Sequence, residues 1–196
     1  LPLHPVQKSN YRGKIFWQGL NECVWLVYTA QAYDCIYNYL SVKERENIEK
    51  NLFAPMVKFI AVDNTKTFNK IHNHGTWAVA GVGMIGYVTN NKEWIDIALY
   101  GSAKDGKTGF LKQVDLLFSP DGYFTEGPYY QRYSLQPFIL FAQAIDKNQP
   151  EKKIFEYRDN VLIKAVNTSL QMAYTDGQFF HLNDALDKTW HSIEIV

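Results

Sequence analysis

Residues 20–40 read L-N-E-C-V-W-L-V-Y-T-A-Q-A-Y-D-C-I-Y-N-Y-L, and this stretch decides the predicted fold class. Its apolar side chains recur at intervals of three and four residues, which is the period of an α-helix with one buried face. The predicted buried stripe consists of Val24, Val27, Tyr28, Ala32, Cys35, Ile36, Tyr39 and Leu40. The same helical period returns along most of the chain.

A second helix is predicted to begin directly after Ser41. The Ser41 hydroxyl can cap the first turn while Glu44, three residues on, reaches back to the backbone, which is the pattern of a capping box. Pro55 falls inside this helix and is expected to kink or interrupt it, because proline has no backbone N–H. The apolar face of this helix comprises Ile48, Leu52, Met56, Phe59 and Ile60.

The rest of the chain alternates helical segments with loops rich in turn residues. Helices are predicted at about 74–88, 93–100, 110–118, 130–147 and 151–173. Because no alternating strand pattern intervenes, we expect an all-α chain of antiparallel helical hairpins that form an (α/α) toroid or part of one. The prediction is a single domain over residues 1–196.

Composition excludes some classes of function. Lys and Arg total 20 and so do Asp and Glu, so the chain lacks the basic excess that nucleic-acid binding requires. No stretch approaches the roughly 20 apolar residues of a membrane-spanning helix. Aromatic residues make up 15% of the chain, which suits a carbohydrate cleft as well as a core. Cys23 and Cys35 would lie about 18 Å apart on one helix, so we expect two buried, unpaired thiols and no metal site.

Polar side chains crowd the start of the predicted helix at 74–88, where residues 71–77 read I-H-N-H-G-T-W. We call His72, Asn73 and His74 the histidine cluster. Asn73 is a natural N-cap, since its side-chain oxygen can accept a backbone N–H of the helix. The positive end of the helix dipole disfavours an imidazolium, so His74 is expected to be neutral.

A second polar group lies in E-G-P-Y-Y-Q-R-Y, residues 126–133. We call Glu126, Tyr129, Tyr130, Arg132 and Tyr133 the tyrosine cluster. Tyr130 and Tyr133 are three residues apart and share one helix face. The fixed charge of Arg132 can lower the pKa of a phenol or bind an anion. Taken alone, the cluster is also explained by aromatic packing and an Arg–Glu pair at a helix start.

The order and spacing of these motifs resemble the heparinase II/III-like and alginate lyase families of polysaccharide lyases. An Asn-His pair at a helix start (73–74) is followed by D-G-x-x-x-E-G-P-x-Y-x-x-Y at 121–133. Q-A-Y-D-C-I-Y-N-Y-L-S-V-K-E-R (31–45) and D-G-Q-F-F-H-L-N-D-A (176–185) are similar to other stretches of the same helical domain. The resemblance spans about residues 20–187.

The resemblance implies β-elimination on a uronic-acid polysaccharide such as alginate or a heparan-sulfate-like glycosaminoglycan. Asn73 would hold the uronate carboxylate, and His74 would neutralise it or serve as base. Tyr130 would transfer a proton at the scissile bond, with Tyr133 as the rival for that role, and we expect His74 and Tyr130 to face one cleft. The residues expected to bind substrate are His72, Trp77, Glu126, Tyr129, Arg132 and His181.

Further expectations come with the same families. The substrate partner is an acidic polysaccharide, the location is periplasmic or secreted, and no cofactor or metal takes part. These families usually carry a β-sandwich after the helical domain, so we expect this chain to be either a piece of a longer one or a single-domain variant that lacks the sandwich.

Two other functions fit parts of the pattern. A glycoside hydrolase on an α/α scaffold would need two carboxylates about 5–9.5 Å apart, and Glu126 with Asp184 or Asp121 can be nominated. That reading leaves the Asn-His pair unexplained. A non-catalytic carbohydrate-binding protein would use the aromatic side chains without turnover.

Overall fold

The structure, a computed structural model, describes residues 2–6 and 11–185. It divides into two compact units, Leu1–Lys112 and Gln113–Val196, and the division falls within one helix. The described residues form helices and no β-strand, with isolated bridges at Phe118–Phe124 and Ala173–Phe179. The all-α prediction is confirmed, whereas the toroid and the single domain over 1–196 stay predictions.

The first unit contains six α-helices in its described part. They are α1 (Gly19–Ile36), α2 (Val42–Ile48), α3 (Ala54–Val57), α4 (Thr65–Phe68), α5 (Asn73–Val88) and α6 (Lys92–Tyr100). The capping box predicted at Ser41 is present, since the Ser41 hydroxyl accepts the Glu44 N–H and the Glu44 carboxylate accepts the Ser41 N–H. The interruption expected at Pro55 takes the form of π-helical turns at Glu49–Phe53 and Lys58–Asp63, on either side of α3.

The buried face of α1 differs from the predicted stripe. Tyr28, Ala32, Cys35, Ile36 and Tyr39 are all exposed, with Tyr39 at 89%. Val27 is buried as predicted, and the other residues that α1 buries are Gly19, Glu22, Cys23, Leu26, Ala30 and Tyr33. The prediction of two unpaired thiols is confirmed, but the prediction that both are buried is wrong for Cys35, which lies on the exposed face.

Helix α5 is the centre of the first unit, and it is buried from Gly75 to Gly86. Its small residues allow neighbouring helices to approach closely. A Cβ added at Gly81 would lie 3.2 Å from the Cys23 carbonyl oxygen of α1, and one at Gly86 would lie 2.9 Å from the Ile95 backbone nitrogen of α6. The middle of α5 is therefore held against α1, and its last turn against α6.

The second unit contains α8 (Pro128–Asn148) and α9 (Tyr157–Gln171), and α7 (Phe110–Leu117) leads into it. Phe118 connects the end of α7 to the core, with ring centroids 5.4 Å from Phe124 and 4.9 Å from Phe138. A left-handed turn at residues 158–160 opens α9, and there the Arg158 guanidinium donates to the Val114 and Phe118 carbonyl oxygens.

Candidate functional site

His72, rather than Asn73, caps helix α5. The Nδ1 atom of His72 accepts the backbone N–H of His74 at 3.3 Å, and Asn73 is the first residue of the helix. The prediction that Asn73 is the N-cap is therefore wrong by one residue. The His72 imidazole accepts the backbone N–H of the first turn, the role that was expected for the Asn73 side-chain oxygen. Since Nδ1 accepts, it carries no proton in this arrangement. Asn73 itself is only 3% exposed.

His74 is held in its neutral form, as the sequence predicts. Burial above all, together with the positive charges that His72 and Lys70 can carry, lowers the pKa of His74 to about 4. The His72 and His74 rings meet edge to face, with centroids 5.1 Å apart. A neutral imidazole can accept a proton or donate one hydrogen bond.

Trp77 lies one helical turn after Asn73 and is fully buried. Its ring centroid is 6.4 Å from that of Tyr28 on α1. The side chain thus has no exposed surface with which to bind substrate, and its ring packs toward α1 instead.

The tyrosine cluster stands at the start of α8, directly after a tight backbone turn. Gly127 is the residue before the helix and has φ +92°, and Pro128 is the first helical residue. A Cβ at Gly127 would lie 2.5 Å from the Leu182 carbonyl oxygen. Only glycine fits both the left-handed conformation and this approach of the 180–185 segment.

Arg132 stacks on Tyr129. Its guanidinium carbon lies 4.7 Å from the centroid of the Tyr129 ring, a cation–π contact, and the Tyr129 and Tyr130 rings meet edge to face at 5.1 Å. The expected effect of Arg132 on a phenol pKa is not found at Tyr130. Burial raises the pKa of Tyr130, and Tyr129, Asp184 and Glu126 raise it further.

The raised pKa keeps the Tyr130 phenol protonated at neutral pH, which suits a proton donor. Tyr133 is half-buried on the same helix, and the choice between Tyr130 and Tyr133 stays a prediction. Glu126 is also half-buried, immediately before the turn.

The 180–185 segment brings further polar groups to the start of α8. The Asn183 amide donates to the Tyr123 hydroxyl at 3.0 Å and to the Thr125 carbonyl oxygen at 3.2 Å. His181 is exposed in this segment. Asp184, which the sequence suggested only as a hydrolase carboxylate, acts electrostatically on Tyr130.

Gln131 is the residue of this site that the sequence did not single out. Its fully buried amide accepts the Phe124 N–H at 3.0 Å and donates to the carbonyl oxygens of Gly122 at 2.9 Å and Ala165 at 2.8 Å. It therefore joins the loop at 119–127 and helix α9 to the turn that carries Tyr130 and Arg132. The sequence gives one indication of this role, namely that a neutral polar residue stands between Tyr130 and Arg132.

Residues 2–6 and 11–185 contain no group of three or more His, Cys, Asp or Glu side chains placed to hold a metal ion. None of the helices in this part is long and apolar enough to cross a membrane.

The described residues are helical, with the Asn73–His74 pair at the start of α5 and the Tyr130–Arg132 group at the start of α8, as the resemblance to polysaccharide lyases predicted. The family model for alginate lyase matches residues 3–180. This chain therefore belongs to the alginate lyase family.

Two relatives match the chain over 194 residues, which is 98% of its length. It is 58% identical to a protein named exo-oligoalginate lyase from Saccharophagus degradans and 53% identical to one named alginate lyase from Stenotrophomonas maltophilia. The chain spans about a quarter, 26%, of the length of each of these relatives.

Proposed function

We propose that this protein cleaves alginate, a polymer of uronic acids, by β-elimination. The observation that carries the proposal is the pairing of a buried amide, Asn73, with a neutral imidazole, His74, at the start of the buried helix α5 in a chain of the alginate lyase family. Such a pair suits a carboxylate whose negative charge grows during a reaction.

The chemistry explains why these residues are useful. Elimination removes the proton on C5 of a uronate, forms a double bond between C4 and C5, and breaks the bond from C4 to the linking oxygen. Negative charge moves onto the carboxylate as the C5 proton leaves. The Asn73 amide can donate to that carboxylate, and the positive end of α5 favours the added charge. One preorganised donor of this kind is worth about 3–4 kcal/mol.

His74 is proposed to remove the C5 proton, and a tyrosine is proposed to donate a proton to the departing oxygen. A neutral His74 can take the C5 proton, because its low pKa keeps its nitrogen unprotonated above about pH 4. A protonated Tyr130 can return a proton to the departing oxygen, because its pKa is raised. Tyr133 is the alternative donor. Glu126, Arg132, Tyr129, His72 and His181 are proposed to contact the sugars.

The test is a panel of uronic-acid polysaccharides, namely polymannuronate, polyguluronate, heparan sulfate and hyaluronan, incubated with the full-length protein. The expected result is new ultraviolet absorbance from unsaturated ends on the two alginate polymers. New reducing ends without that absorbance would indicate a hydrolase instead. Binding without any new ends would indicate a carbohydrate-binding protein.

Two matched variants test the tyrosine assignment. We expect Tyr130→Phe to lower kcat by at least about a hundredfold, the usual contribution of general acid–base catalysis, while KM changes little. Tyr133→Phe is the control with the same loss of a hydroxyl. If Tyr130→Phe is active and Tyr133→Phe is inactive, then Tyr133, one helical turn further on, transfers the proton.

The Saccharophagus relative is named an exo-oligoalginate lyase, a name that describes exo action on oligoalginate for that protein. We propose the same mode here, and product size tests it, since an exo enzyme releases single residues from the start of the reaction.

We also propose a periplasmic or secreted location, where the substrate polymer is found, and cell fractionation tests that location.

A further inference from the structure

The 180–185 segment is anchored where it begins. The Phe180 N–H donates to the carbonyl oxygen of Met172, the residue after helix α9, at 3.0 Å, and the side chain of Phe179 is buried. From this anchor the chain runs past the turn that begins α8. The contacts that hold it there determine which groups lie beside the tyrosine cluster.

Asn183 joins the segment to the loop before α8. Its side-chain amide donates to the Tyr123 hydroxyl at 3.0 Å and to the Thr125 carbonyl oxygen at 3.2 Å. Because a carbonyl oxygen can only accept a hydrogen bond, the Thr125 contact fixes which side of the amide faces the loop. One side chain thus links two stretches of the chain that are distant in sequence.

The backbone at Asn183 suits a short amide side chain. Asn183 has φ +56°, in the left-handed region that asparagine adopts more readily than most residues. The Ala185 N–H donates to the Asn183 carbonyl oxygen at 2.8 Å, which closes a three-residue turn with Asp184 at its centre. The conformation of Asn183 therefore determines where Asp184 is placed.

The segment brings Asp184 to the helix start that carries Tyr130. The Leu182 carbonyl oxygen is so close to Gly127 that an added Cβ would lie 2.5 Å from it. Tyr130 follows Gly127 by less than one helical turn, and Asp184 comes soon after Leu182. Burial is the main cause that raises the pKa of the Tyr130 phenol, and the charge of Asp184 adds to it.

We propose that Asn183 is a positioning residue for the elimination reaction, which joins the 180–185 segment to the loop before α8 and so holds Asp184 beside Tyr130. A negative charge near a phenol favours its protonated form, the form that can donate to the departing oxygen. The role of Tyr130 as proton donor rests on the proposed function, whereas the placement of Asp184 rests on the contacts of Asn183 and Leu182. The other titratable and charged groups around this helix start are Glu126, Tyr129, Arg132, Tyr133 and His181.

The first test compares two asparagines that both lie in the left-handed region. Asn183→Gly keeps that backbone conformation accessible and removes the amide. Asn90→Gly is the matched control, since Asn90 is exposed, has φ +53° and has no proposed role in the reaction. Circular dichroism checks that both variants fold. We expect Asn183→Gly to lower kcat at least about tenfold while KM changes less than about twofold, and Asn90→Gly to change neither.

The second test follows the phenol in the full-length protein without substrate. The Cζ resonance of isotope-labelled Tyr130, assigned by its loss in Tyr130→Phe, reports the protonation of the phenol as pH rises. Asp184→Asn removes the charge and keeps the shape, so the titration midpoint should fall by about half a pH unit, a small shift because Asp184 is exposed. Asn183→Gly should move the midpoint in the same direction. The double variant should move it no further than Asp184→Asn alone.

These measurements also define the results that would overturn the proposal. An unmoved Tyr130 midpoint in Asn183→Gly would show that Asp184 keeps its place without the amide. Full addition of the two shifts in the double variant would show that Asn183 does not act through Asp184. A kcat in Asn183→Gly equal to that of Asn90→Gly would show that the placement does not matter for the reaction.

The outcomes separate this inference from the proposed function. Lyase activity is read from the ultraviolet absorbance of products, whereas the Tyr130 midpoint is read without any substrate. A protein that shows the expected midpoint shifts but no lyase activity on any of the polymers would contradict only the proposed function.

Discussion

The histidine cluster and the tyrosine cluster are held in place by different means. The first is fixed by local backbone structure, since His72 caps the helix that carries Asn73 and His74. The second depends on residues distant in sequence, since Gln131 binds α9 and Gly127 lies against the 180–185 segment. The comparison indicates that the tyrosine cluster is the more sensitive of the two to substitutions that do not touch the proposed catalytic groups.

The largest expected effect is at Gln131. Gln131→Leu keeps the volume of the side chain nearly constant but leaves three buried backbone groups without their partner. Each such group costs about 1–3 kcal/mol, so we expect a loss of at least about 3 kcal/mol in the free energy of unfolding. Urea denaturation followed by circular dichroism measures it.

Gln143→Leu is the control for this variant, because Gln143 is an exposed glutamine on the same helix α8. It should change stability by less than about 0.5 kcal/mol. Similar losses for the two variants would mean that the buried amide does not hold the tyrosine cluster.

The next effect is at Gly127. Gly127→Ala places a Cβ both in a left-handed conformation and 2.5 Å from the Leu182 carbonyl oxygen, and we expect a loss of about 2–3 kcal/mol. Gly106 has φ +72° with nothing within 4 Å of an added Cβ, so Gly106→Ala carries the conformational cost alone. We expect about 1 kcal/mol there, by thermal or urea unfolding. Equal losses of stability for Gly127→Ala and Gly106→Ala would show that the 180–185 segment moves away from the added Cβ at no cost.

A smaller effect is expected at the cap of α5. His72→Ala removes the acceptor of the His74 N–H and should cost about 1 kcal/mol in the free energy of unfolding. Ser41→Ala removes the cap of α2 and is the reference for a loss of this size. If His72→Ala costs as much as Gln131→Leu, the histidine cluster is not held locally and the contrast fails.

An effect of a different kind is the pH dependence of stability due to His74, whose ring is partly open to solvent, which weakens the effect. Its pKa is near 6.5 in the unfolded chain and about 4 in the folded one, so between these values the unfolded state binds a proton that the folded state does not. The stabilisation is fully present above pH 6.5 and is lost as pH falls toward 4. His74→Gln should flatten this slope, and an NMR titration of His74 with a midpoint near 6.5 would contradict it.

Local signals in the sequence placed several helix starts, although the last helix begins at Tyr157 and not at 151, and α4 was not predicted. Ser41 and Glu44 marked the start of α2, and the helix starts at 74, 93 and 110 were placed within one residue of the observed Asn73, Lys92 and Phe110. Capping and helical period depend on neighbours within one or two turns, so they can be read without the fold.

The buried face of α1 could not be predicted in this way. Apolar residues surround most of this helix, so the period alone allows more than one stripe. The stripe that is buried is the one where the Cys23 carbonyl and Leu26 meet Gly81 of α5, a glycine that leaves room for them. Ile36 and Tyr39 are exposed, and Tyr28 stays 43% exposed although its ring reaches Trp77 of α5.

The sequence by itself determined the all-helical class, the cap at Ser41 and the identity of the two polar clusters, since all of these follow from residues close together in the chain. Burial, which arises only in the packed chain, keeps His74 neutral. Only the tertiary structure decided that Asp184 and burial act on Tyr130 rather than Arg132, and that Gln131 supports the tyrosine cluster. The physical reason is distance along the chain. Asp184 and Ala165 lie more than thirty residues from the groups they affect, and burial and close approach over such separations arise only when the chain has packed.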